Sequence, residues 1–318
     1  MQPLYPKIKP NSETFLEFGE HKVYVEESGN PDGVPVLYLH GGPGGGSSPE
    51  HRRYFNPEKY RIIIFDQRGC GKSTPHASVV GNSTWDLIDD IEEIREHFAI
   101  TKWLISGGSW GTTLALAYGV KFPQRVTGFI LRGIFLGTQA EVDWLYGEDG
   151  AGAIYPDHYQ DFMAPLGHEQ SLDVVSAFNK QLFDSNEIAR IASAKAWTLW
   201  ETKISALHID RTELISAQET HQAIAMACIE NHYFANKCFF EDNYLLNNIH
   251  LISHIPAFII HGRYDMVCQI KQAWLLANQW ENAQLQIIPK AGHSGFEQGI
   301  IDAICRASDK MADFLISK

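Results

Sequence analysis

The pattern of apolar and polar positions divides this chain into three stretches. From the N-terminus to about residue 137, short apolar runs alternate with segments of helical spacing. Lys22 to Glu26 alternates residue by residue and predicts a hairpin strand. Val36-Leu37-Tyr38-Leu39 predicts a buried strand ending at His40. Arg61 to Phe65, nearly all β-branched or aromatic, predicts another ending at Asp66. From Thr84 to Phe98 the spacing predicts a helix, with Leu87, Ile91, Ile94 and Phe98 on one face and Ser83 as its N-cap. A strand ending at Ile105, a helix from Thr112 to Tyr118 and a strand from Val126 to Leu131 follow. Strands that alternate with helices predict a mostly parallel sheet covered on both faces.

After residue 137 the strand signal fades. Residues 138–250 read as helices and loops, clearest over Ala189 to Trp200 and His221 to Phe234. The first pattern then resumes with a strand at Ala257-Phe258-Ile259-Ile260 and a helix over Lys271 to Asn278. A strand from Leu285 to Ile288 and a closing helix from Ile300 to Leu315 complete it. The expected organisation is one α/β domain made of residues 1–137 and 251–318, with residues 138–250 inserted as a helical cap. Insertion into an exposed loop of a rigid sheet is tolerated, and such loops carry function.

Charge sharpens this division. The chain of 318 residues has a formal charge of -12, and 44% of it is hydrophobic, enough for a sizeable core. Residues 138–250 hold 17 acidic against 6 basic residues, so the cap carries net -11 and the rest is almost neutral. Nucleic acid is not an expected partner, whereas an acidic segment near a pocket would attract a cationic small substrate. Five cysteines show no C-x-x-C spacing and suggest no disulfide framework. No signal-like N-terminus and no apolar run of about 18 residues is present, so a reduced, cytoplasmic protein without membrane contact is expected.

The chemistry centres on Gly107-Gly108-Ser109-Trp110-Gly111, which lies between a predicted strand and a predicted helix. A G-x-S-x-G run in that setting puts a serine hydroxyl at the top of a tight turn, as in α/β-hydrolases. Serine needs a base, and the base needs an acid to fix its tautomer, in the chain order serine, acid, histidine. The last two strands supply both on the loops that follow them: Asp265 in His261-Gly262-Arg263-Tyr264-Asp265, and His293 in Ala291-Gly292-His293. Ser109, Asp265 and His293 form the expected triad. Asp242 and Asp210 compete in chain order but follow no strand, and His261 precedes the acid, which suits packing or loop support. The oxyanion needs backbone donors. The N–H of Trp110 supplies one, and Gly42 in His40-Gly41-Gly42-Pro43-Gly44-Gly45-Gly46 is the choice for the other. That run lacks the G-x-x-x-x-G-K-[ST] pattern of a phosphate loop. Gly69-Cys70-Gly71-Lys72-Ser73 is also weak as one, and reads as a turn braced by charged side chains.

These motifs, with Leu131-Arg132-Gly133-Ile134-Phe135, Trp197-x-x-Trp200-Glu201 and Ile229-Glu230-Asn231-His232-Tyr233-Phe234, resemble the proline iminopeptidases of peptidase family S33. The resemblance spans nearly the whole chain, cap included. It implies a serine exopeptidase that removes N-terminal proline from small peptides through an acyl-enzyme, with no metal or cofactor. It also implies that Glu201 and Glu230 bind the free imino group and that Phe135 lies beside the pyrrolidine ring. Physical chemistry agrees, since the imino group is cationic at neutral pH and two confined carboxylates would hold it. Tyr146 and Tyr233 are further candidates for the pocket wall, equally compatible with cap core. A broader serine esterase or amidase on the same fold is the alternative, followed by a non-catalytic binding protein. A dehalogenase or epoxide hydrolase would use Asp where Ser109 stands.

Overall fold

Among the described residues, the alternation of strands and helices forms one eight-stranded sheet. In chain order its strands are β1 (Ser12–Phe18), β2 (His21–Gly29), β3 (Val34–Leu39), β4 (Tyr60–Phe65), β5 (Trp103–Ser109), β6 (Val126–Ile134), β7 (Ala257–Gly262) and β8 (Ala283–Ile288). Their spatial order is β1-β2-β4-β3-β5-β6-β7-β8. β1 and β2 form an antiparallel hairpin, β2 joins β4 antiparallel, and the remaining pairs are parallel. After β3 the chain moves to one side for β4 and then crosses to the other for β5. The crevice outside the C-terminal ends of β3 and β5 is therefore the switch point where ligands collect on such sheets. A computed structural model describes residues 1–167, 173–208 and 211–317 of the chain.

Alternate side chains of the central strands feed two cores. Leu37 and Leu39 point to one face of the sheet, and Val36 and Tyr38 to the other. The first face is covered by α1 (Thr84–His97), α2 (Trp110–Lys121) and α11 (Ile270–Gln279), the second by α12 (Gln298–Ile316). α1 starts in a capping box, with Ser83 and Asp86 satisfying each other's backbone N–H groups. α2 is buried from Trp110 to Val120, and it has no polar face because sheet and neighbouring helices enclose it.

Among the described residues, eight further α-helices lie between β6 and β7: α3 (Gln139–Tyr146), α4 (Ala151–Ile154), α5 (Pro156–Met163), α6 (Val174–Leu182), α7 (Glu187–Ile204), α8 (Arg211–Ser216), α9 (Thr220–Ala235) and α10 (Tyr244–Asn248). The two longest are α7, which extends the expected segment by two residues at its start and four at its end, and α9, which extends it by one at each end. Their core is aromatic: Trp197 stacks on Tyr146 at 4.2 Å, and Phe162 stacks on Phe178 at 4.7 Å. The short helices give too few turns for a readable period. β1 also escapes the sequence pattern, because it is an edge strand with no fully buried residue. All five cysteines are free and buried. Among the described residues, no helix is long and apolar enough to cross a membrane.

The turn from β5 into α2 depends on missing side chains. A Cβ on Gly111 would lie 2.1 Å from the Leu39 carbonyl oxygen, and one on Gly107 would lie 2.5 Å from the Gly111 oxygen. Backbone cannot yield as a flexible side chain can. Gly111→Ala is therefore expected to cost about 3 kcal/mol or more and to lower the melting temperature by at least about 6 °C. A thermal melt showing less than about 1 °C of change would refute this close approach.

Candidate active site

Ser109 ends β5 and precedes α2 with φ 57° and ψ -128°. A side chain in this region costs about 1–3 kcal/mol and persists only where the surroundings enforce it. The contacts of Gly107 and Gly111 do so. The hydroxyl of Ser109 is half-buried and lies within hydrogen-bonding reach of the Cys268 thiol. Burial pushes that thiol well above its ordinary pKa, which keeps it protonated and a poor nucleophile.

The strand register carries two further groups to the same end of the sheet. Ser109 pairs with Ile134 on β6, and β6 pairs with β7. Asp265 follows β7 and His293 follows β8. His293 Nδ1 donates to Asp265 Oδ2 at 2.7 Å, and Asp265 Oδ1 accepts the backbone N–H groups of Val267 and Cys268 at 3.1 and 2.7 Å. Burial would raise the Asp265 carboxyl, but the charge and hydrogen bond of His293 hold it below its ordinary value. With the Nδ1 proton committed, Nε2 is left as the basic nitrogen. Arg132 Nη1 lies 3.5 Å from Nε2 and donates to the His293 carbonyl oxygen at 2.6 Å, pinning the loop to β6. Gly41 passes beside the serine: a Cβ there would lie 3.2 Å from Ser109 Cβ. Gly42 follows with φ 113°, a conformation open to glycine. Trp110 is the first residue of α2, where backbone N–H groups have no partner within the helix.

His261, the rival base, is loop support. Its Nδ1 accepts from the Ile134 N–H at 3.1 Å, which leaves the proton on Nε2, and Nε2 donates to the Cys268 carbonyl at 2.8 Å. It ties the end of β6 to the loop that carries Asp265. Asp242 is exposed, and Asp210 lies outside the described residues.

The cap contributes two buried carboxyl groups, Glu201 on α7 and Glu230 on α9. They are within hydrogen-bonding reach of each other. Tyr146 OH donates to Glu201, and Trp197 Nε1 donates to Glu230 Oε2 at 2.7 Å. Among the described residues, no lysine or arginine pairs with either. Burial raises the pKa of both, and for Glu230 the neighbouring Glu201 carboxylate raises it further. Both carboxyl groups are thus shifted toward the protonated form, Glu230 more than Glu201.

Of the expected aromatic residues, Phe135 is buried at the end of β6 and meets Phe234 edge-on at 5.7 Å. Tyr146 is both cap core, through Trp197, and a partner of the carboxyl pair. The hydroxyl of Tyr233 is committed elsewhere. It donates to Asn82 Oδ1 at 2.8 Å, and its ring meets that of Trp110 edge-on at 4.8 Å. Sequence reasoning gave no role to Trp197 or Arg132, although both sit inside quoted motifs; their partners are distant in sequence. Among the described residues, no three His, Cys, Asp or Glu side chains gather as a metal site.

A family model described as "alpha/beta hydrolase fold" matches residues 34–300. A proline iminopeptidase of Xanthomonas citri is 46% identical over 314 residues, 98% of this chain and 100% of that protein. The corresponding protein of Arabidopsis thaliana is 48% identical over 97% of this chain and 82% of its own length. Among solved structures, proline iminopeptidase from Mycobacterium smegmatis superposes with a TM-score of 0.64 at 15% identity, covering 96% of this chain and all of that one. An esterase from Exiguobacterium antarcticum gives 0.60 at 22% identity, over 96% of this chain and 98% of its own. At these identities the likeness is one of fold.

The carboxyl pair has a measurable consequence. A raised pKa means that the folded state binds more protons than the unfolded one, so the pair loses stability for the fold as pH rises past the ordinary carboxyl range. A glutamine at 230 stays neutral and donates permanently to Glu201. Glu230→Gln is therefore expected to melt higher than the unliganded wild type at pH 8, by about 2–4 °C, with the gap shrinking toward pH 5. Thermal melts at the two pH values check this, and a gap that widens on acidification would reverse the assignment.

Proposed function

We propose a mechanism for a chain that belongs to the proline iminopeptidase family of α/β-hydrolases. The protein is a serine exopeptidase that releases N-terminal proline from small peptides. Ser109 Oγ attacks the prolyl carbonyl carbon while His293 Nε2 takes the hydroxyl proton, and Asp265 stabilises the imidazolium that forms. The oxyanion is met by the N–H groups of Gly42 and Trp110. The C–N bond breaks as His293 returns the proton to the leaving amine, leaving proline esterified to Ser109. Water then attacks that ester, giving its proton to His293, and proline leaves as Ser109 is reprotonated.

Specificity comes from the cap, residues 138–250. Glu201 and Glu230 accept the two N–H bonds of the cationic imino group, with Tyr146 and Trp197 holding the carboxylates in place. Phe135 packs beside the pyrrolidine ring, and Tyr233 braces the cap against Trp110. The observation that carries this reading is a buried pair of carboxyl groups, Glu201 and Glu230, with no lysine or arginine partner among the described residues. Such a pair is costly with a neutral ligand and strong with a cation that donates twice. A blocked N-terminus offers neither charge nor donors. Five free thiols support a reducing, cytoplasmic setting.

The test compares kcat/KM for proline β-naphthylamide with that for its N-acetyl form. The free imine is expected to be preferred by at least about 100-fold, the cost of leaving a buried charge unpaired. Ser109→Ala is expected to remove about 1,000-fold or more of the activity. Equal cleavage of the two forms would move the protein to a general esterase or amidase, and an active Ser109→Ala variant would remove the serine mechanism.

A further inference from the structure

The two oxyanion donors sit on different elements, Gly42 on the loop after β3 and Trp110 at the start of α2. One side chain reaches both elements. Gln67, directly after β4, is buried at 2% exposure. Its Oε1 accepts from Trp110 Nε1 at 2.9 Å, and its Nε2 donates to the His40 carbonyl oxygen at 3.0 Å. Its own backbone N–H donates to His40 Nε2 at 3.0 Å.

The chemistry of the partners fixes every direction in this network. An indole N–H only donates, so the amide oxygen of Gln67 must face Trp110 and its NH2 must face His40. His40 Nε2 accepts, so the ring proton lies on Nδ1, which donates to the Gly41 carbonyl at 2.9 Å. Burial lowers the His40 pKa and keeps the ring in this neutral form. The far end of the glycine loop is tied to the neighbouring residue: Asp66 Oδ1 accepts the Ser47 N–H at 2.7 Å. Two consecutive side chains after β4 therefore hold the loop at both ends, and Gln67 alone also holds Trp110.

We propose that Gln67 is a positioning residue of the oxyanion hole: it sets the separation between the Gly42 and Trp110 donors that meet the tetrahedral intermediate. This rests on the reading of Ser109 as the nucleophile. Oxyanion donors act within a few tenths of an ångström, and a displacement of about 1 Å costs up to about 100-fold in rate. Ground-state binding of the imino cation uses Glu201 and Glu230, which Gln67 does not touch, so the two steps separate experimentally.

The test uses Gln67→Met, which keeps length and loses every side-chain bond. Two inhibitors read the two steps. Pyrrolidine is a cation with no carbonyl. The boronic acid analogue of proline accepts the Ser109 Oγ lone pair at boron and becomes a tetrahedral anion in the oxyanion site. In Gln67→Met, kcat for proline β-naphthylamide and affinity for the boronic acid are expected to fall together by about 10–100-fold. KM and the pyrrolidine inhibition constant are expected to stay within about twofold. Trp110→Phe keeps the backbone donor and removes the same bond from the other side. It is expected to give the same split, and it serves if Gln67→Met does not fold. Equal losses for both inhibitors, or an unchanged kcat, would overturn the proposal. Wild type that binds pyrrolidine but not the boronic acid would instead overturn the nucleophile assignment, and the proposal with it.

Discussion

Backbone must touch backbone where β5 turns into α2, and the other groups of the site take their places from that contact. With Gly107 against Gly111 and Gly111 against the Leu39 carbonyl, the end of β3 is drawn against the serine turn. Gly41 then passes beside Ser109, and the glycine loop starts next to the serine. On the opposite side the parallel register delivers Ile134 next to Ser109, and β7 and β8 bring Asp265 and His293 to the same rim. The chemistry rests on positions that lack side chains as much as on those that react.

The parts legible in the sequence are those whose cause is local. Central strands buried on both faces read as unbroken β-branched and aromatic runs, as at Arg61 to Phe65, and the helix after Ser83 announces itself through its cap. Ser109, Asp265 and His293 stand out in the sequence because each lies at or a few residues beyond a strand end, in a fixed chain order. The Glu201 and Glu230 assignments came through family motifs, since a glutamate on a helix has no local signature of burial. What stayed hidden is long-range. Trp197 meets Glu230 across two helices, Gln67 meets Trp110 across 43 positions, and Arg132 meets the His293 carbonyl across 161. The stretch around Gly69 to Ser73 read as a turn braced by charges. Arg68 does pair with Asp90, yet the preceding Asp66 and Gln67 brace the glycine loop as well.

The cap is built against its own stability. Its aromatic core of Trp197, Tyr146, Phe162 and Phe178 would pack around any apolar pair, yet two carboxyl groups occupy the space between α7 and α9. Hydrogen bonds from Tyr146 and Trp197 satisfy part of their need, while burial and their mutual repulsion push the Glu230 carboxyl upward. A resident lysine or arginine would relieve it better, but it would fill the site.

Because each carboxylate stands on a different helix, the ligand has a second identity. A cation held between Glu201 and Glu230 is a counter-ion bridging α7 to α9, in the manner of a structural metal between two helices. On the proposed reading a bound imino group would complete the electrostatics of the cap's interior, and hydrolysis would not cancel that role, since the freed amino acid keeps its positive nitrogen. On that reading, turnover would also be a cycle in which α7 and α9 gain and lose a bridging counter-ion.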